Sequence, residues 1–591
     1  MSTSEEESTR QRAFQSRLPS LSIVHGPSSP PLVTLTLGGL LDLQVSKYGP
    51  RECLVVPWTG ARWTYNQLRD QTILIANSLL DMGIRPGDKI GVMAGNCEQF
   101  VSLFFATTRI GAIIVLLNNT YTAEEAQNTL QYTQCRLLFT TLRIGTLSQE
   151  PLLRALSTLP ERTPVLEEII LLTGPSTTHR TYTELVSHSS RSLSQLTSLE
   201  KQISTHSVCN MQFTSGSTGG PKAAMLTHHN LINNARFIGD RMALTALDVL
   251  CCPPPLFHCF GLVLGLLAAI THGGKIVYPA ETFSAQATLA ALVAESCTAL
   301  HGVPAMIDSL FALPQPPSFR AQLSLRTGII AGAPVPKALM HKMVHDWGMT
   351  QFTSSYGLTE ASPTVFNAST TLPTALKLAT VGSVMPHCSV KLISRSGRPV
   401  PRGVRGELCV AGYQLCSGYF NNAQKTQEAF RLDGDGVLWL HTGDEAVLTD
   451  DGLCAITGRF KDIIIRGGEN IYPLEIEERL SAHPSVARAV VTGINHEHYG
   501  EVVGAFLELE EGAQRPEDEE VREWTRAVLG RHKAPRHVFW LGMNGIPDTV
   551  PITGSGKVRK FELRQAGEEA LSRTNEVEDV KTTEGADRAR L

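Results

Sequence analysis

The chain has 591 residues, of which 42% are hydrophobic and 18% are charged, and its formal net charge is −4. This composition is typical of a soluble globular protein with several cores, and the slight acidity argues against a general binder of nucleic acid or of anionic membranes. The twelve cysteines include no CxxC pair. That spacing argues against structural zinc and a disulfide framework, and it indicates reduced thiols in an intracellular compartment.

The first part of the chain alternates between helix and strand. Residues 1–30 are polar and then proline-rich, without the apolar core of a secretory signal, so we expect a flexible leader there. Thr64 is expected to cap a helix, and the apolar run 89–94 follows as a buried strand. A second helix over 98–110 leads into the strand 112–117. Helices alternating with wholly apolar strands predict an α/β sheet covered on both faces.

The longest apolar run covers residues 256–270 and is fifteen residues long. A membrane-spanning helix needs about 20 such residues, so no transmembrane segment is expected and this run is predicted to be a buried helix.

The last sixth of the chain has a different pattern, typical of a small α+β unit. Its predicted elements are, in order, a helix over 474–482, strands over 487–492 and 502–509, and a helix over 519–529. The preceding segment 458–473 is rich in glycine and charge, as a domain junction often is. The tail after about residue 565 is charged and is expected to be frayed.

The segment Thr214-Ser-Gly-Ser-Thr-Gly-Gly-Pro-Lys222 interleaves hydroxyls with glycines. Such a loop lets backbone N–H groups approach an anion closely, and Lys222 adds positive charge, so it predicts phosphate binding. It is not a Walker A loop, because Pro221 precedes the lysine and no Ser or Thr follows it. The segment ending in Lys557 fails the same test, since Val558 follows. The alternative interpretation is a flexible Ser/Gly linker.

The loop resembles the phosphate-binding signature of the adenylate-forming (AMP-binding) superfamily, which includes acyl-CoA synthetases, firefly luciferase and peptide-synthetase adenylation domains. Six further matches follow in the superfamily's order: PPPLFHCFG (253–261), GAPVP (332–336), SSYGLTE (354–360), HTGD (441–444), GRFKDIIIRGGENIYPLEIE (458–477) and PITGSGK (551–557). The likeness spans roughly residues 60–565. It is strongest to medium-chain acyl-CoA synthetases of fungal type, through TVGSVMPH (380–387) and SGYFNNAQKTQEAF (417–430).

The resemblance implies an α/β fold in which a large N-terminal domain of layered subdomains is joined by a hinge to a small α+β C-terminal domain. The expected limits are a leader at 1–30, the ATP and acyl domain at 31–460, a mobile domain at 461–565 and a charged tail at 566–591.

The resemblance also implies a site for ATP and AMP. Its expected residues are Thr214, Ser215, Gly216, Ser217, Thr218, Gly219, Lys222, Gly332, Ala333, Pro334, Ser355, Tyr356, Gly357, Thr359, Asp444 and Arg459. Tyr356 can stack on adenine, and Glu360 can hold Mg²⁺. Asp444 can accept the ribose hydroxyls, with Arg459 as a second ribose contact. Without their motifs these residues would be interpreted as an ordinary turn tyrosine, a surface carboxylate and a loop aspartate.

Catalysis is expected to depend on Lys557, His258 and Glu360. An ammonium on the Gly-Ser-Gly stem before Lys557 can reach both the substrate carboxylate and the α-phosphate. The resemblance places His258 at the mouth of the acyl pocket. The alternatives are a solvated lysine and a satisfied core histidine.

Lys461 matches the hinge of the superfamily, around which the small domain turns between the two half-reactions. That rotation would turn the loop containing Gly467, Gly468 and Glu469 towards CoA. A charged residue in a surface turn is the alternative for Lys461.

The segment 257–263 contains no acidic residue to bind a substrate ammonium, which argues against an α-amino acid. No carrier motif follows Lys557, so the expected thiol is free CoA. The pocket segments 258–266, 330–333 and 356–362 are largely apolar, which suits an aliphatic chain. The sequence therefore predicts an ATP-, Mg²⁺- and CoA-dependent acyl-CoA ligase. A small hydroxy acid such as the mevalonate of fungal siderophore pathways is an alternative substrate, and a luciferase-like oxygenase and a non-catalytic nucleotide-binding module are alternative functions.

The chain ends in Ala589-Arg590-Leu591, which matches the small–basic–leucine form of the peroxisomal address. This ending predicts recognition by a peroxisomal import receptor. A cytoplasmic enzyme is the alternative.

Overall fold

The computed structural model describes residues 20–573 except 158–164, 188–192, 215–221, 333–334, 468 and 554–557. The predicted site residues Ser215 to Gly219, Ala333, Pro334, Gly468 and Lys557, together with the C-terminal tripeptide, therefore lie outside the described residues, and the roles assigned to them stay predictions.

The strands are, in chain order, β1 (Ile23–His25), β2 (Glu52–Val56), β3 (Ala61–Thr64), β4 (Lys89–Met93), β5 (Ile113–Leu116), β6 (Leu137–Thr140), β7 (Arg143–Ile144), β8 (Leu147–Ser148), β9 (Glu168–Leu171), β10 (Arg180–Thr181), β11 (Val208–Thr214), β12 (Lys222–Thr227), β13 (Val249–Cys251), β14 (Lys275–Val277), β15 (Ala299–Leu300), β16 (Ile329–Ile330), β17 (Thr353–Gly357), β18 (Thr364–Asn367), β19 (Ser383–Val384), β20 (Cys388–Ile393), β21 (Gly406–Gly412), β22 (Phe430–Leu432), β23 (Leu438–Leu448), β24 (Cys454–Arg459), β25 (Ile464–Arg466), β26 (Glu469–Ile471), β27 (Val486–His496), β28 (Gly500–Leu509) and β29 (His537–Trp540).

The α-helices are α1 (Leu37–Tyr48), α2 (Tyr65–Asp81), α3 (Glu98–Arg109), α4 (Ala123–Thr133), α5 (Glu150–Ser157), α6 (Tyr182–Ser187), α7 (Leu193–Glu200), α8 (His228–Arg241), α9 (Ala268–Thr271), α10 (Ala285–Ala294), α11 (Pro304–Ala312), α12 (Phe319–Gln322), α13 (Lys337–Trp347), α14 (Thr374–Ala379), α15 (Ala423–Ala429), α16 (Pro473–Leu480), α17 (Asp518–Arg526) and α18 (560–573). A π-helix covers Phe260–Leu267, and 3₁₀ turns cover Thr359–Ala361, Phe460–Asp462 and Arg531–Lys533.

Two largely parallel sheets form the first part of the fold. A seven-stranded sheet has the order β10-β9-β6-β4-β5-β11-β12, in which only the last pairing is antiparallel. A five-stranded sheet has the order β15-β13-β14-β2-β3. Isolated parallel bridges, Ala299 to Thr327 and Gly302 to Ile330, connect it to the β16-β17-β18-β19 sheet. The prediction of an α/β sheet covered on both faces is confirmed.

The local predictions in this part are also confirmed. Thr64 caps α2 in a full capping box with Gln67, because each side chain bonds the backbone N–H of the other residue. The apolar face of α2 is buried at Leu68, Ile75 and Leu79, so tertiary packing stabilises this helix. The capping box determines the residue at which it begins.

An antiparallel sheet of order β1-β20-β21-β23-β22, with β24 paired to β23, follows. The prediction of a flexible leader is wrong for residues 20–30, because Ile23 to His25 form β1 against β20. The backbone N–H of Gly26 also donates to the Cys388 carbonyl at 2.8 Å. The partner strand lies more than 360 residues further along the chain, so local sequence could not reveal this pairing.

The C-terminal part forms a β26-β25-β28-β27 sheet with β29 on β28, and helices α16 and α17 correspond to the two predicted helices. The predicted strands are longer than expected, since the β27–β28 pairing extends from Val486 to the turn at Gly500. The predicted frayed tail is helical as far as residue 573, because Ala570 and Leu571 pack against the core that includes Phe506.

The run 256–270 is buried and helical as predicted, although its regular part begins only at Phe260 and winds as a π-helix before α9. In the described part of the chain, no helix combines the length and the apolar character needed to cross a membrane.

Candidate active site

Tyr356 of β17 contacts Asp444 of β23 and so joins two sheets, and Asp444 also pairs with Arg459 of β24. The Tyr356 hydroxyl donates to Asp444 Oδ2 at 2.5 Å, and Arg459 Nε donates to Asp444 Oδ1 at 2.8 Å. Asp444 and Arg459 are register partners on β23 and β24, so sheet pairing places the two charges side by side. The motifs that contain these residues lie about 100 residues apart in the sequence, and the fold brings their side chains into contact, while the binding roles assigned to them stay predictions.

The backbone around Asp444 is held in place by Thr442. Its hydroxyl donates to the Leu408 carbonyl at 2.8 Å and accepts the N–H of Asp444 at 3.1 Å. Asp444 is only 4% exposed, and both of its oxygens already hold donors. Burial, reinforced by the Asp444 charge, raises the pKa of Tyr356 well above its usual value, so Tyr356 stays a neutral donor. When a nucleotide binds, the preorganised Asp444 carboxylate can exchange its bonds from Tyr356 and Arg459 for bonds from the two ribose hydroxyls.

Residues of the other nucleotide motifs have well-defined local conformations. In the SSYGLTE motif, the Ser355 hydroxyl bonds the Phe366 carbonyl at 3.3 Å and Thr359 begins the 3₁₀ turn. A side chain at Gly357 would lie 2.1 Å from the Pro363 carbonyl oxygen, so only glycine fits the close approach of the two strands. Gly332 has a φ of +90°, in the region that favours glycine.

Glu360 and Lys222, which are expected at the phosphate end of the site, both contact Tyr419. Thr214 and Lys222 are register partners on β11 and β12, so the predicted phosphate loop connects two adjacent strand ends. The Lys222 ammonium lies 5.1 Å from the centre of the Tyr419 ring, and the Tyr419 hydroxyl donates to Glu360 Oε1 at 2.8 Å. Burial and the Glu360 charge raise the pKa of Tyr419 far above its ordinary value. Tyr419 thus orients the Glu360 carboxylate next to a lysine expected to bind phosphate.

A single buried carboxylate fits a nucleotide-bound Mg²⁺. This ion usually takes one or two protein carboxylates and obtains its other ligands from phosphates and water. Glu360 is 9% exposed and would supply such a ligand.

The wall expected to contact the acyl group is the π-helix after His258. The His258 Nδ1 accepts the N–H of Phe260 at 3.1 Å, which fixes the ring at the start of that helix. Two buried side chains hold its carbonyls: Tyr278 donates to Gly261 at 3.1 Å, and His301 Nε2 donates to Leu264 at 2.9 Å. Burial lowers the pKa of His301 to about 4, so the ring is neutral and the wall is apolar and rigid.

Lys461 lies in the 3₁₀ turn directly after β24, next to the Asp444 cluster. Desolvation, reinforced by Arg459, lowers the pKa of Lys461. The residues expected to face CoA contact their own domain in this arrangement: the N–H of Gly467 donates to the Tyr499 carbonyl at 2.8 Å, and Glu469 lies 3.8 Å from His532.

Sequence reasoning missed three contacts of the site. Tyr419 stood in a quoted motif without a role, and His301 is an isolated histidine that carries no sequence signal. Tyr472, just after the hinge, donates to Glu445 at 3.2 Å, and the Arg405 guanidinium lies 3.9 Å from the centre of the Tyr472 ring. The sequence offered two signals for this contact: Tyr472 lies in the segment NIYP (470–473), and Glu445 directly follows Asp444.

Together, these features place the residues expected to bind a nucleotide in one cluster, in a chain that also contains a buried apolar helix and a small C-terminal α+β part. This is the fold of the adenylate-forming enzymes, with a large N-terminal domain and a smaller C-terminal domain. A family model described as AMP-binding enzyme matches residues 41–420, and one described as AMP-binding enzyme C-terminal domain matches residues 475–557. The chain belongs to the AMP-binding enzyme family and is by class a ligase.

Several curated relatives match nearly the whole chain. It is 59% identical over 559 residues to the acyl-CoA ligase sidI of Beauveria bassiana, covering 94% of this chain and 96% of that one. It is 58% identical over 558 residues to the sidI ligase of Aspergillus fumigatus, covering 94% of each chain. A mitochondrial medium-chain acyl-CoA ligase, ACSF2 of Danio rerio, is 34% identical over 564 residues, covering 93% of this chain and 91% of that one.

Solved structures agree in fold. The anthranilate CoA ligase AuaEII, in complex with anthranoyl-AMP, superposes with a TM-score of 0.79 at 22% identity and covers 92% of this chain and 99% of its own. ATP-bound MatB from Rhodopseudomonas palustris gives a TM-score of 0.79 at 24% identity, covering 90% and 99%.

Replacing Asp444 tests the ribose assignment. We expect Asp444→Asn to weaken ATP binding by about 2 kcal/mol, a ~30-fold rise in Kd, because one charged acceptor is lost from the cluster. Calorimetry with ATP measures the effect, and Asp462→Asn, which removes a nearby carboxylate from the adjacent 3₁₀ turn, is the matched control. Equal Kd values for Asp444→Asn and the unmodified chain would reject the assignment.

Proposed function

We propose that the chain is an ATP-dependent acyl-CoA ligase, which converts a carboxylic acid to an acyl-adenylate with release of pyrophosphate and then transfers the acyl group to CoA. The observation that carries this proposal is the buried Asp444, held between Tyr356 and Arg459. Glu360 and Lys222, at the end of the predicted phosphate loop, are joined through Tyr419. The names of the relatives, all acyl-CoA ligases or synthetases, support the same chemistry.

In the first half-reaction, a carboxylate oxygen attacks the α-phosphorus of ATP, the bond to the β-phosphate breaks and pyrophosphate leaves. Asp444 orients the ribose, and Lys222 and Lys557 compensate the negative charge that builds on the phosphate oxygens. Glu360 would hold Mg²⁺, which neutralises phosphate oxygens when bound.

In the second half-reaction, the CoA sulfur attacks the acyl carbonyl, the bond to the AMP oxygen breaks and the thiol proton passes to solvent. Lys461 would be the point about which the C-terminal domain turns between the steps, so that Lys557 withdraws and the loop around Gly467 approaches the adenylate. The His258 ring, fixed by the Phe260 N–H, would border the carbonyl at the mouth of the acyl pocket.

The acid is proposed to be aliphatic, because the wall formed by the π-helix Phe260–Leu267 is apolar and fully buried. A small hydroxy acid such as mevalonate, as used in siderophore metabolism, is the second candidate. The sequence identities to the relatives favour this second candidate. Two sidI ligases and the SID4 ligase, all fungal acyl-CoA ligases, are 56 to 59% identical to this chain. The medium-chain ligases are only 32 to 34% identical.

A pyrophosphate-release screen over a panel of acids, with and without CoA, tests the proposal. The panel should pair each hydroxy acid with the analogue that lacks the hydroxyl, alongside straight-chain acids of increasing length. A pocket that hydrogen-bonds the hydroxyl rejects its analogue by orders of magnitude, whereas an apolar pocket distinguishes the two weakly. Acid-dependent release that CoA accelerates supports the ligase. No acid-dependent release would favour a non-catalytic module, and oxygen uptake or light emission would favour the oxygenase.

We further propose that the enzyme works inside peroxisomes. The proposal rests on the C-terminal Ala589-Arg590-Leu591 and on the charged segment before it. Imaging of a chain tagged at its N-terminus should show punctate signal that becomes diffuse when residues 589–591 are deleted. Diffuse signal from the intact chain would reject the proposal, and puncta that survive the deletion would show a different address.

A further inference from the structure

Three potential metal ligands lie together on β21 and β23, and β23 also carries Asp444, the expected ribose contact. Glu407 and Cys409 are two residues apart on β21, so both side chains project from the same face of the sheet. His441, the first residue of the HTGD motif, is the register partner of Cys409 on β23. One donor atom from each of the three residues lies within 4.8 Å of the other two. The proposed ligase reaction uses none of these side chains.

The distances fit a shared ion better than direct hydrogen bonds. His441 Nδ1 lies 3.4 Å from Glu407 Oε2 and 3.6 Å from Cys409 Sγ. A charge-assisted N–H···O bond is about 2.7 to 2.9 Å long, so the 3.4 Å separation of His441 Nδ1 from Glu407 Oε2 is long for such a bond. In a tetrahedral zinc site, bond lengths of about 2.0 Å to nitrogen or oxygen and about 2.3 Å to sulfur separate nitrogen from oxygen by roughly 3.3 Å and from sulfur by roughly 3.5 Å. The two distances from His441 Nδ1 match these edges.

The surroundings also suit an ion with one open position. Cys409 is fully buried, while the side chains of His441 and Glu407 are 17% and 26% exposed, so solvent can supply a fourth ligand.

Nearby cations are largely engaged elsewhere. The Lys391 ammonium pairs with Asp433 at 3.2 Å and lies 4.0 Å from the centre of the Trp439 ring. Arg431, the other cation near Glu407 and Cys409, donates its Nε–H to the Glu428 carbonyl at 3.1 Å. The cluster therefore offers an ion one sulfur, one carboxylate oxygen and one imidazole nitrogen.

We propose that Glu407, Cys409 and His441 form a site for a divalent transition ion of the zinc type, with water as the fourth ligand. Mixed sulfur, nitrogen and oxygen donors select such ions over Mg²⁺. Binding forms a metal–sulfur bond and releases the Cys409 thiol proton to solvent. The ion links β21 to β23 at His441, three residues before Asp444. It therefore stabilises the strand that carries the expected ribose contact.

Cobalt is the probe, because Co²⁺ takes zinc sites and a thiolate ligand gives it a charge-transfer absorption. The chelator-treated, reduced full-length chain is titrated with Co²⁺, and Zn²⁺ is then added as competitor. We expect a thiolate-to-cobalt band that saturates at one equivalent and disappears with Zn²⁺. Cys409→Ala should remove the band, and His441→Gln should weaken Co²⁺ binding by about 100-fold or more, since loss of a ligand costs at least as much as loss of its supporting contacts.

Cys454→Ala is the matched control, because Cys454 is a buried cysteine on β24 of the same sheet and outside the cluster. It should keep the band. A thermal shift of the unmodified chain with Zn²⁺ that His441→Gln lacks would support binding to the folded state. Absence of a thiolate band in the unmodified chain, or a band that persists in Cys409→Ala, would overturn the proposal regardless of how the variants fold.

Discussion

Lys557→Ala is expected to abolish adenylation while conversion of a preformed acyl-adenylate to the thioester continues. An ammonium that reaches both the substrate carboxylate and the α-phosphate is most useful when charge builds in the pentavalent transition state. Loss of one such donor costs about 3 kcal/mol or more, roughly a hundredfold in rate. Acid-dependent pyrophosphate release measures the first step, and thioester formation from synthetic acyl-AMP measures the second.

Arg559→Ala is the control for this variant, since it removes a cation two residues away whose described partner is Glu562 at 2.7 Å. It should leave both half-reactions near normal. Pyrophosphate release in Lys557→Ala close to that of the unmodified chain would remove Lys557 from the mechanism.

Lys461→Pro should leave adenylation largely intact and reduce thioester formation by about a hundredfold, the scale expected when a required domain movement is blocked. Proline fixes φ near −65° and therefore prevents the rotation that exchanges the two domain arrangements. The same two half-reaction assays measure the split.

Lys461→Ala is the comparison, because it removes the charge but keeps the backbone free to turn, and it should retain both steps. Proline also restricts the preceding residue, Phe460, which lies in the same 3₁₀ turn, so thermal unfolding of both variants should be compared. An equal loss of both half-reactions in Lys461→Pro would point to a direct catalytic role or a folding defect instead of a hinge.

Local chemistry in the sequence predicted much of the fold. The capping box at Thr64 and the apolar runs of β4 and β5 are signals contained within a few residues, and each appears in the structure where it was expected. Long-range pairing gave no such signal. Strand β1 depends on β20, and the π-helix at Phe260–Leu267 depends on Tyr278 and His301, whose hydrogen bonds hold its carbonyls.

The nucleotide cluster was predictable because its motifs resemble a family, and the structure places Tyr356, Asp444 and Arg459 in direct contact. The contacts that hold these residues in place were not predictable from the sequence. Tyr419 orients Glu360 from 59 residues away, and no spacing within either motif indicates that pair. Motifs therefore identified the residues expected to touch the nucleotide but not the side chains that hold them.

Tracing a carboxylate oxygen tests the central claim most directly. If the acid attacks the α-phosphorus and the thiol then attacks the acyl carbonyl, the AMP that leaves keeps one oxygen of the acid. With the best acid from the panel labelled with ¹⁸O in its carboxylate, ATP and CoA, we predict one ¹⁸O atom in AMP, unlabelled pyrophosphate and an acyl-CoA product. Labelled inorganic phosphate together with ADP, or AMP without label, would contradict an acyl-adenylate intermediate.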